Sequence, residues 1–344
     1  MIKSINRTKY LGYYFKKLDR PTFKRFFKHV QAEKKMLSIS LWSDIFSSVY
    51  KYNIGLMDYF TFRFYNKSEE ERYKWVGIGY KYEYDLLMCP KKSRDILEDK
   101  IKFYQAYEPF IQHANCTIDD IVMGNKKAQA VLENSTGKLV VKDALGQCGW
   151  DVQVLHTKDF NLSTLAVYMK SKSFNLAESF IEQHPDINAL SPSGLNTVRM
   201  ITHVNSKGKV QFLGARMRIS VNSHVDNLAS GNIAASIDLE TGKISRPGVY
   251  SDITKSEVTK HPVTGIELVG YQIPFWKEIM EVSEKIALHH PENRGVGWDI
   301  AITKDGPDFI EGNHNWCKIL WQIPDNEGKK HVLEQNLEDL GYSL

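Results

Sequence analysis

Near the C-terminus of this 344-residue chain, the segments Gly297-Trp-Asp-Ile-Ala-Ile302 and Pro307-Asp-Phe-Ile-Glu-Gly-Asn313 flank a Lys304-Asp-Gly306 turn. Two short apolar stretches joined at Asp305-Gly306 read as a β-hairpin. Residues two apart on a strand share a face, so Glu311 and Asn313 point the same way, and the hairpin folds Asp299 back beside them. Two carboxylates and an amide oxygen then converge. Such an oxygen-only set suits Mg2+, which is held by a few carboxylates while substrate phosphates fill its other positions. The pattern outlines a nucleotide-triphosphate site; the competing reading is an ordinary hairpin with solvated acids.

The rest of the chain is long enough to bury a substantial core divided among two or three lobes. With 42% hydrophobic and 25% charged residues, its composition is that of a globular protein. No apolar run reaches the roughly 18 residues of a membrane span, and the first residues lack the apolar core of a signal peptide. The expected location is the cytoplasm. Cys89, Cys116, Cys148 and Cys317 are scattered without a CxxC pair, which points to buried or incidental thiols rather than a disulfide framework or a zinc site.

Charge is distributed unevenly. Residues 1–35 hold eleven Lys or Arg against Asp19 and Glu33, a net of +9, so an overall net of +4 leaves −5 on the remainder. This basic, aromatic-rich stretch fits an amphipathic helix whose Phe and Leu pack on the body while its cations face water. The alternative is peripheral contact with an anionic membrane surface or a polyanionic partner. No nucleic-acid-binding module accompanies the charge, so nucleic acid is not expected as a partner.

Residues 22–70 read as helical, with Leu37, Leu41, Ile45 and Val49 forming a stripe, and the polar run from Asn66 to Arg72 marks the end of this lobe. A further helix is expected from Ser93 to about His113, capped by Ser93. Lys138–Asp143 and Asp151–His156 read as strands around the turn Ala144-Leu-Gly-Gln-Cys-Gly-Trp150. Glycine there lets backbone N–H groups approach an anion, with Lys142 just before it, although a plain hairpin accounts for the same pattern. Strands are expected at 176–181, 196–204, 210–220 and 232–239, and a helix at Phe275–Leu288 with Pro274 at its start. The last thirty residues read as a polar tail with a short helix near Lys330–Leu340.

The acidic hairpin with its Asp-x11-Glu-x-Asn spacing resembles the metal-binding end of the ATP-grasp ligases. Together with His184-Pro-Asp, Asn196-Thr-x-Arg199, Ala215-Arg-x-Arg218, Asp226-Asn227 with Gly231, and His261-Pro-x-Thr-Gly265, it resembles the sugar-transfer associated ATP-grasp family over roughly residues 75–315. The resemblance implies an α+β ATP-grasp fold, two α+β lobes clasping ATP, with a helical N-terminal extension. The implied division is a basic helical region at 1–75, a small lobe with the glycine loop at 76–178, and a large lobe with the metal site and C-terminal tail at 179–344.

Residue by residue, the resemblance implies that Lys100 and Lys142 contact the nucleotide phosphates and that Gly146 to Gly149 form the mobile loop. Glu178 falls near the adenine amine, with the backbone about Phe180 and Ile181 pairing with the base. Arg199 and Arg218 reach the phosphates or the bound acid, and Asn227 is an adjacent substrate-side amide. Asp299, Glu311 and Asn313 hold Mg2+. Arg216 and Arg218 share a strand face, and the sequence leaves open which of them serves the site.

The implied reaction is ATP-dependent ligation of a carboxylate to an amine through an acyl phosphate, in surface polysaccharide metabolism, for example of an amino acid to a uronic acid. A kinase or a nucleotide-binding subunit without catalysis are the alternatives. Two features depart from the family pattern. Asn313 runs into His314-Asn-Trp-Cys-Lys318 instead of a Pro-Gly turn, and the loop between Gly146 and Gly149 is poor in glycine.

Overall fold

The computed structural model describes residues 12–146 and 152–344. Among the described residues, nine strands form two antiparallel sheets. The smaller contains β1 (Asn115–Thr117), β2 (Lys138–Lys142), β3 (Gln153–His156) and β4 (Leu176–Ser179) in the order β1-β4-β2-β3. The larger contains β5 (Thr197–Val204), β6 (Val210–Ile219), β7 (Ile233–Ile237), β8 (Gly295–Thr303) and β9 (Gly306–Asn313) in the order β7-β6-β5-β8-β9.

The larger sheet has one apolar face. Val198, Met200, Met217, Ala235, Trp298 and Ile300 belong to the main core, together with Ile279 and Ile286 of the helix Trp276–His289. A second core, from Phe23 to Trp75, is built by the N-terminal helices. A third, from Cys116 to Ala177, lies under the smaller sheet. Between the sheets runs the helix Lys100–Ala106, whose Phe103 packs over Gly312 of β9 while Tyr104 hydrogen-bonds Glu178 of β4.

Several elements differ from the sequence expectation for identifiable reasons. The helix expected from Ser93 to His113 is broken into Asp95–Glu98, Lys100–Ala106 and a 3-10 turn at Glu108–Phe110. Asp99 is extended and accepts from the backbone N–H groups of Ile101 and Lys102, so it, rather than Ser93, caps the helix that carries Lys100. The polar run after Asn66 does not simply end a lobe. Ser68 and Glu71 form a capping box for the helix Glu69–Tyr73, and Arg72 clamps Asp44 at 2.6 and 2.9 Å.

Phe275 adopts a left-handed conformation before the helix that begins at Trp276, which leaves Pro274 outside that helix. The C-terminal residues are not a tail: Trp316, Trp321, Leu333 and Leu337 are buried in the main core. Cys89 and Cys116 are buried thiols and Cys317 is a free, exposed one, while Cys148 lies outside the described residues. No described helix is long and apolar enough to cross a membrane.

Candidate functional site

The second face of the larger sheet is polar, and its register explains why. Ser236 pairs with Arg216, Arg216 with Arg199, Arg199 with Asp299 and Asp299 with Glu311, giving a row across all five strands. Register partners share a face, so the five side chains rise from one surface. Beyond Asp299 the hairpin carries a bulge, after which Ile300 pairs with Phe309. The turn itself is made by Gly306 at φ 126°, a conformation that a side chain would strain. Asn313 lies opposite Gly297, and a Cβ on Gly297 would meet Trp316 at 2.6 Å and Arg199 at 3.1 Å, so glycine there makes room for both.

Asp299 is 3% exposed and both of its oxygens are engaged. Arg199 grips it with Nε and Nη2, the latter at 2.7 Å, and Arg218 Nη1 adds a third contact at 2.7 Å. Burial pushes the Asp299 carboxyl up, but Arg199 and Arg218 outweigh it and hold the group well below the usual carboxylate range. Arg218 also reaches Asp226 at 2.7 Å, and Asp226 in turn accepts from the Thr197 hydroxyl. Arg216 turns away from this cluster, binding the Trp321 carbonyl and Asp325 and tying the C-terminal segment to the sheet. Of the two arginines, Arg218 is therefore the one at Asp299.

Glu311 is bonded by Asn313 Nδ2 at 3.2 Å and lies 3.5 Å from Lys100 Nζ. Lys100 donates to the Gly146 carbonyl at 2.8 Å as well, linking the end of the β2 loop to the acidic hairpin. Gly149 lies outside the described residues.

On the smaller sheet, β4 is central and buried along its whole length, so a charge on it requires a partner. Glu178 has two: Lys142 Nζ at 2.5 Å and the Tyr104 hydroxyl at 2.7 Å. Burial raises the Glu178 carboxyl, but Lys142, His113 and these hydrogen bonds bring it below its ordinary value. Phe180 and Ile181 follow at the strand end, half-buried, with Phe180 N–H bonded to the Lys138 carbonyl at 3.2 Å.

The structure thus brings together Lys100, Lys142 and Glu178 beside the helix between the sheets, and Arg199, Arg218, Asp299, Glu311 and Asn313 on the polar face. Asn227 follows Asp226 at the start of the next turn. Its side chain accepts from Ala229 N–H at 3.2 Å and caps the turn Leu228–Ser230, while its neighbour Asp226 is the residue that meets Arg218. Sequence reasoning also missed Tyr104 and the buried pair His113–Asp308. Tyr104 sits one helical turn after Lys100, a spacing that offered a clue. His113 and Asp308 are 195 residues apart and offered none.

Among the described residues no three His, Cys, Asp or Glu side chains are grouped to hold a metal. The candidate set is two carboxylates and an amide, all hard oxygen donors of the kind Mg2+ takes. Its negative charge is balanced by Arg199, Arg218 and Lys100.

A small antiparallel sheet ending in a lysine and a glycine-containing loop, and a larger one carrying an acidic hairpin on its polar face, define an α+β ATP-grasp fold. The chain belongs to the sugar-transfer associated ATP-grasp family, whose model matches residues 80–338. Solved structures similar to it include biotin carboxylase from Campylobacter jejuni in a β-γ-ATP complex, at 15% identity and TM-score 0.43, covering 73% of this chain and 47% of that one. The ATP-grasp ligase PsnB with its minimal precursor aligns at 12% identity and TM-score 0.41, covering 72% and 62%. D-alanyl-alanine synthetase A from Vibrio cholerae aligns at 12% and 0.39, covering 74% and 65%. The chain spans less than two thirds of each of these proteins. No curated protein matches the chain.

Proposed function

We propose that this chain is an ATP-dependent carboxylate–amine ligase that forms an amide through an acyl phosphate and releases ADP. The observation that carries the reading is the Asp299 cluster: a carboxylate, fixed by two arginines, in register with Glu311 on the strand that also bears Asn313. Asp299, Glu311 and Asn313 would hold Mg2+, which supplies charge neutralisation at the phosphates. Arg218 and Arg199 are placed to meet the negative charge of a transferring phosphoryl group or a bound acid, for which a guanidinium fork is well shaped. Lys142 and Lys100 orient the triphosphate, with Glu178, Phe180 and Ile181 at the base and Gly146 opening the loop that keeps water from the activated acid.

The proposed acid is a uronic acid or its glycoconjugate and the amine an amino acid, in capsule or O-antigen synthesis. The family's description as sugar-transfer associated supports this as an association only. A cytoplasmic enzyme acting on membrane-borne precursors would gain from its basic N-terminal region. Lys16, Lys17, Arg20, Lys24, Arg25, Lys28, Lys34 and Lys35 are exposed there, while Phe23, Phe26 and Val30 pack inward.

Incubation of the chain with ATP, Mg2+, uronic-acid compounds and a pool of amino acids tests the reading by product mass. A condensation product formed with stoichiometric ADP supports it. ADP formation with a phosphorylated product and no amide replaces it with a kinase.

A further inference from the structure

His261, in the turn His261-Pro-Val-Thr-Gly265, is 1% exposed, although Pro262 and Val263 beside it lie at the surface. A buried imidazole needs a partner for each ring nitrogen. The Thr264 N–H points at Nδ1 from 3.2 Å, and the Ser220 carbonyl lies 2.9 Å from Nε2. A backbone N–H only donates and a carbonyl only accepts, so Nδ1 accepts, Nε2 carries the proton, and His261 donates to Ser220. The Thr264 hydroxyl donates to the Leu190 carbonyl at 2.9 Å, and the Gly265 N–H closes the turn on the His261 carbonyl at 2.9 Å. The turn that carries the ring is therefore fixed to the end of the helix Pro185–Leu190.

Ser220 stands two residues beyond Arg218, where β6 has ended and a loop begins. Its N–H donates to Asn196 Oδ1 at 2.7 Å and its hydroxyl is 2.7 Å from that of Ser191, so with His261 on the carbonyl every polar atom of Ser220 is held. The loop runs from Val221 to Val225 and is tied across its mouth by Asn232, which accepts from the Val221 N–H at 2.8 Å and donates to the Val225 carbonyl at 2.6 Å. The next residue is Asp226, which meets Arg218 at 2.7 Å. The chain thus leaves the sheet just after Arg218 and returns a carboxylate to the same guanidinium. His261 fixes the point from which that return path starts.

We propose that His261 is a positioning residue for Arg218: by anchoring Ser220 it sets the loop that brings Asp226 to the guanidinium, and Asp226 together with Asp299 then aims Arg218 at the anionic group it serves. This rests on the ligase reading and adds to it a residue that touches neither nucleotide nor acid. A guanidinium held from two sides is in place before charge develops, so loosening one anchor slows the chemical step. ATP binding, which draws on the lysines and the smaller sheet, is left as it was.

ADP formation by the full chain from ATP and Mg2+, with and without D-glucuronate, tests it alongside calorimetric ATP affinity. His261→Ala should lower kcat by about 10- to 100-fold, up to the scale on which a misplacement of roughly 1 Å slows a catalysed step, at unchanged ATP affinity. His261→Gln, whose amide N–H reaches as far as Nε2, should restore most of the rate, whereas the shorter His261→Asn should not. Asp226→Asn should show the same loss as His261→Ala, and combining the two should add little, because both act on one guanidinium. An unchanged rate in His261→Ala, equal rates in the Gln and Asn variants, or losses that multiply in the double variant overturn the inference. A matching loss of ATP affinity in His261→Ala also overturns it, since that marks a tie that only supports the fold. Full ADP formation by Asp226→Asn overturns it with no change at His261, which covers a His261→Ala chain that fails to fold. Absence of ADP formation by the unmodified chain, with acid and without, removes the ligase reading, and this inference with it.

Discussion

Lys100 Nζ lies 3.5 Å from Glu311 and donates to the Gly146 carbonyl at 2.8 Å, so one ammonium joins the acidic hairpin of the larger sheet to the loop of the smaller. Lys142 is engaged quite differently, as the buried cation of Glu178.

The two lysines should therefore respond differently to removal. Lys100→Ala breaks a partly exposed pair and should cost less than about 1 kcal/mol of stability. Lys142→Ala leaves Glu178 buried without its cation and should cost roughly 3 kcal/mol, the penalty for an uncompensated buried charge. ATP affinity should fall more for Lys142→Ala, because the lost group is desolvated and charge-assisted contacts weaken most there. Urea unfolding and calorimetric titration read both; equal losses would refute the placement of Lys142 at the nucleotide.

Substitution at the acidic hairpin separates chemistry from folding. Glu311→Gln should abolish ADP formation with little change in stability, since Glu311 is about one-third exposed. Asp299→Asn should abolish it too, but at a cost of about 3 kcal/mol or more, because Arg199 and Arg218 lose the carboxylate that compensates their burial. Wild-type ADP formation by Glu311→Gln at unchanged stability would sink the assignment.

His203 makes stability fall as pH drops from 7 to 5, against the buried Asp85, whose carboxyl is pushed up to about 6 and acts in the opposite direction. The His203 side chain is fully enclosed, and burial, aided by Arg294, lowers it from 6.5 to about 4. The unfolded chain takes up a proton near pH 6.5 that the folded chain resists until about pH 4, so the stability His203 contributes is complete above 6.5 and is lost across that window. By linkage the part of that loss due to His203 alone between pH 7 and pH 5 is about 2 kcal/mol. His203→Asn should flatten that slope in urea titrations at both pH values. An unchanged slope would assign the effect elsewhere.

The basic lobe predicts salt-sensitive binding to anionic vesicles. Leu37 and Ile39 are 73% and 77% exposed at the tip that follows Lys34 and Lys35, so apolar insertion would add to charge attraction. Vesicle binding should drop steeply between low and physiological salt. It should also weaken in Leu37→Asp. Salt-independent or absent binding would return the segment to a packed helical lobe with a solvated face.

The hairpin, the strands of the larger sheet and the candidate metal residues were legible because each rests on local signals: turn residues, alternation and i, i+2 spacing. The break at Asp99 was legible only in part. An aspartate inside a helical pattern reads as a solvated acid until its side chain is seen to take the N–H groups of Ile101 and Lys102. The C-terminal segment reads as polar because the run Asp325–His331 interrupts its apolar residues, yet Trp316 and Trp321 close over Gly297 and Gly214 on the polar face of the sheet. Long-range pairs such as Arg218 with Asp226 and His113 with Asp308 depend on register between distant segments, which no local pattern encodes.

Arg218 also carries the prediction that decides the chemistry. If the acid is phosphorylated before the amine arrives, its activated carboxyl can be intercepted by hydroxylamine, yielding a hydroxamate without the natural amine. The true acid substrate should therefore give ATP- and Mg2+-dependent hydroxamate. Arg218 is placed between Asp299 and Asp226, each at 2.7 Å, and is held fully charged by them against the cost of burial. An arginine so fixed stabilises negative charge as it develops without reorganising, an effect worth about 10²–10³ in rate when one such donor is lost. Arg218→Ala should reduce hydroxamate formation by at least that factor, whereas Arg216→Lys, on the Asp325 side, should retain most of it. An acid that supports ADP release yet yields a stable phosphorylated product and no hydroxamate would make the enzyme a kinase and assign Arg218 to phosphoryl transfer alone.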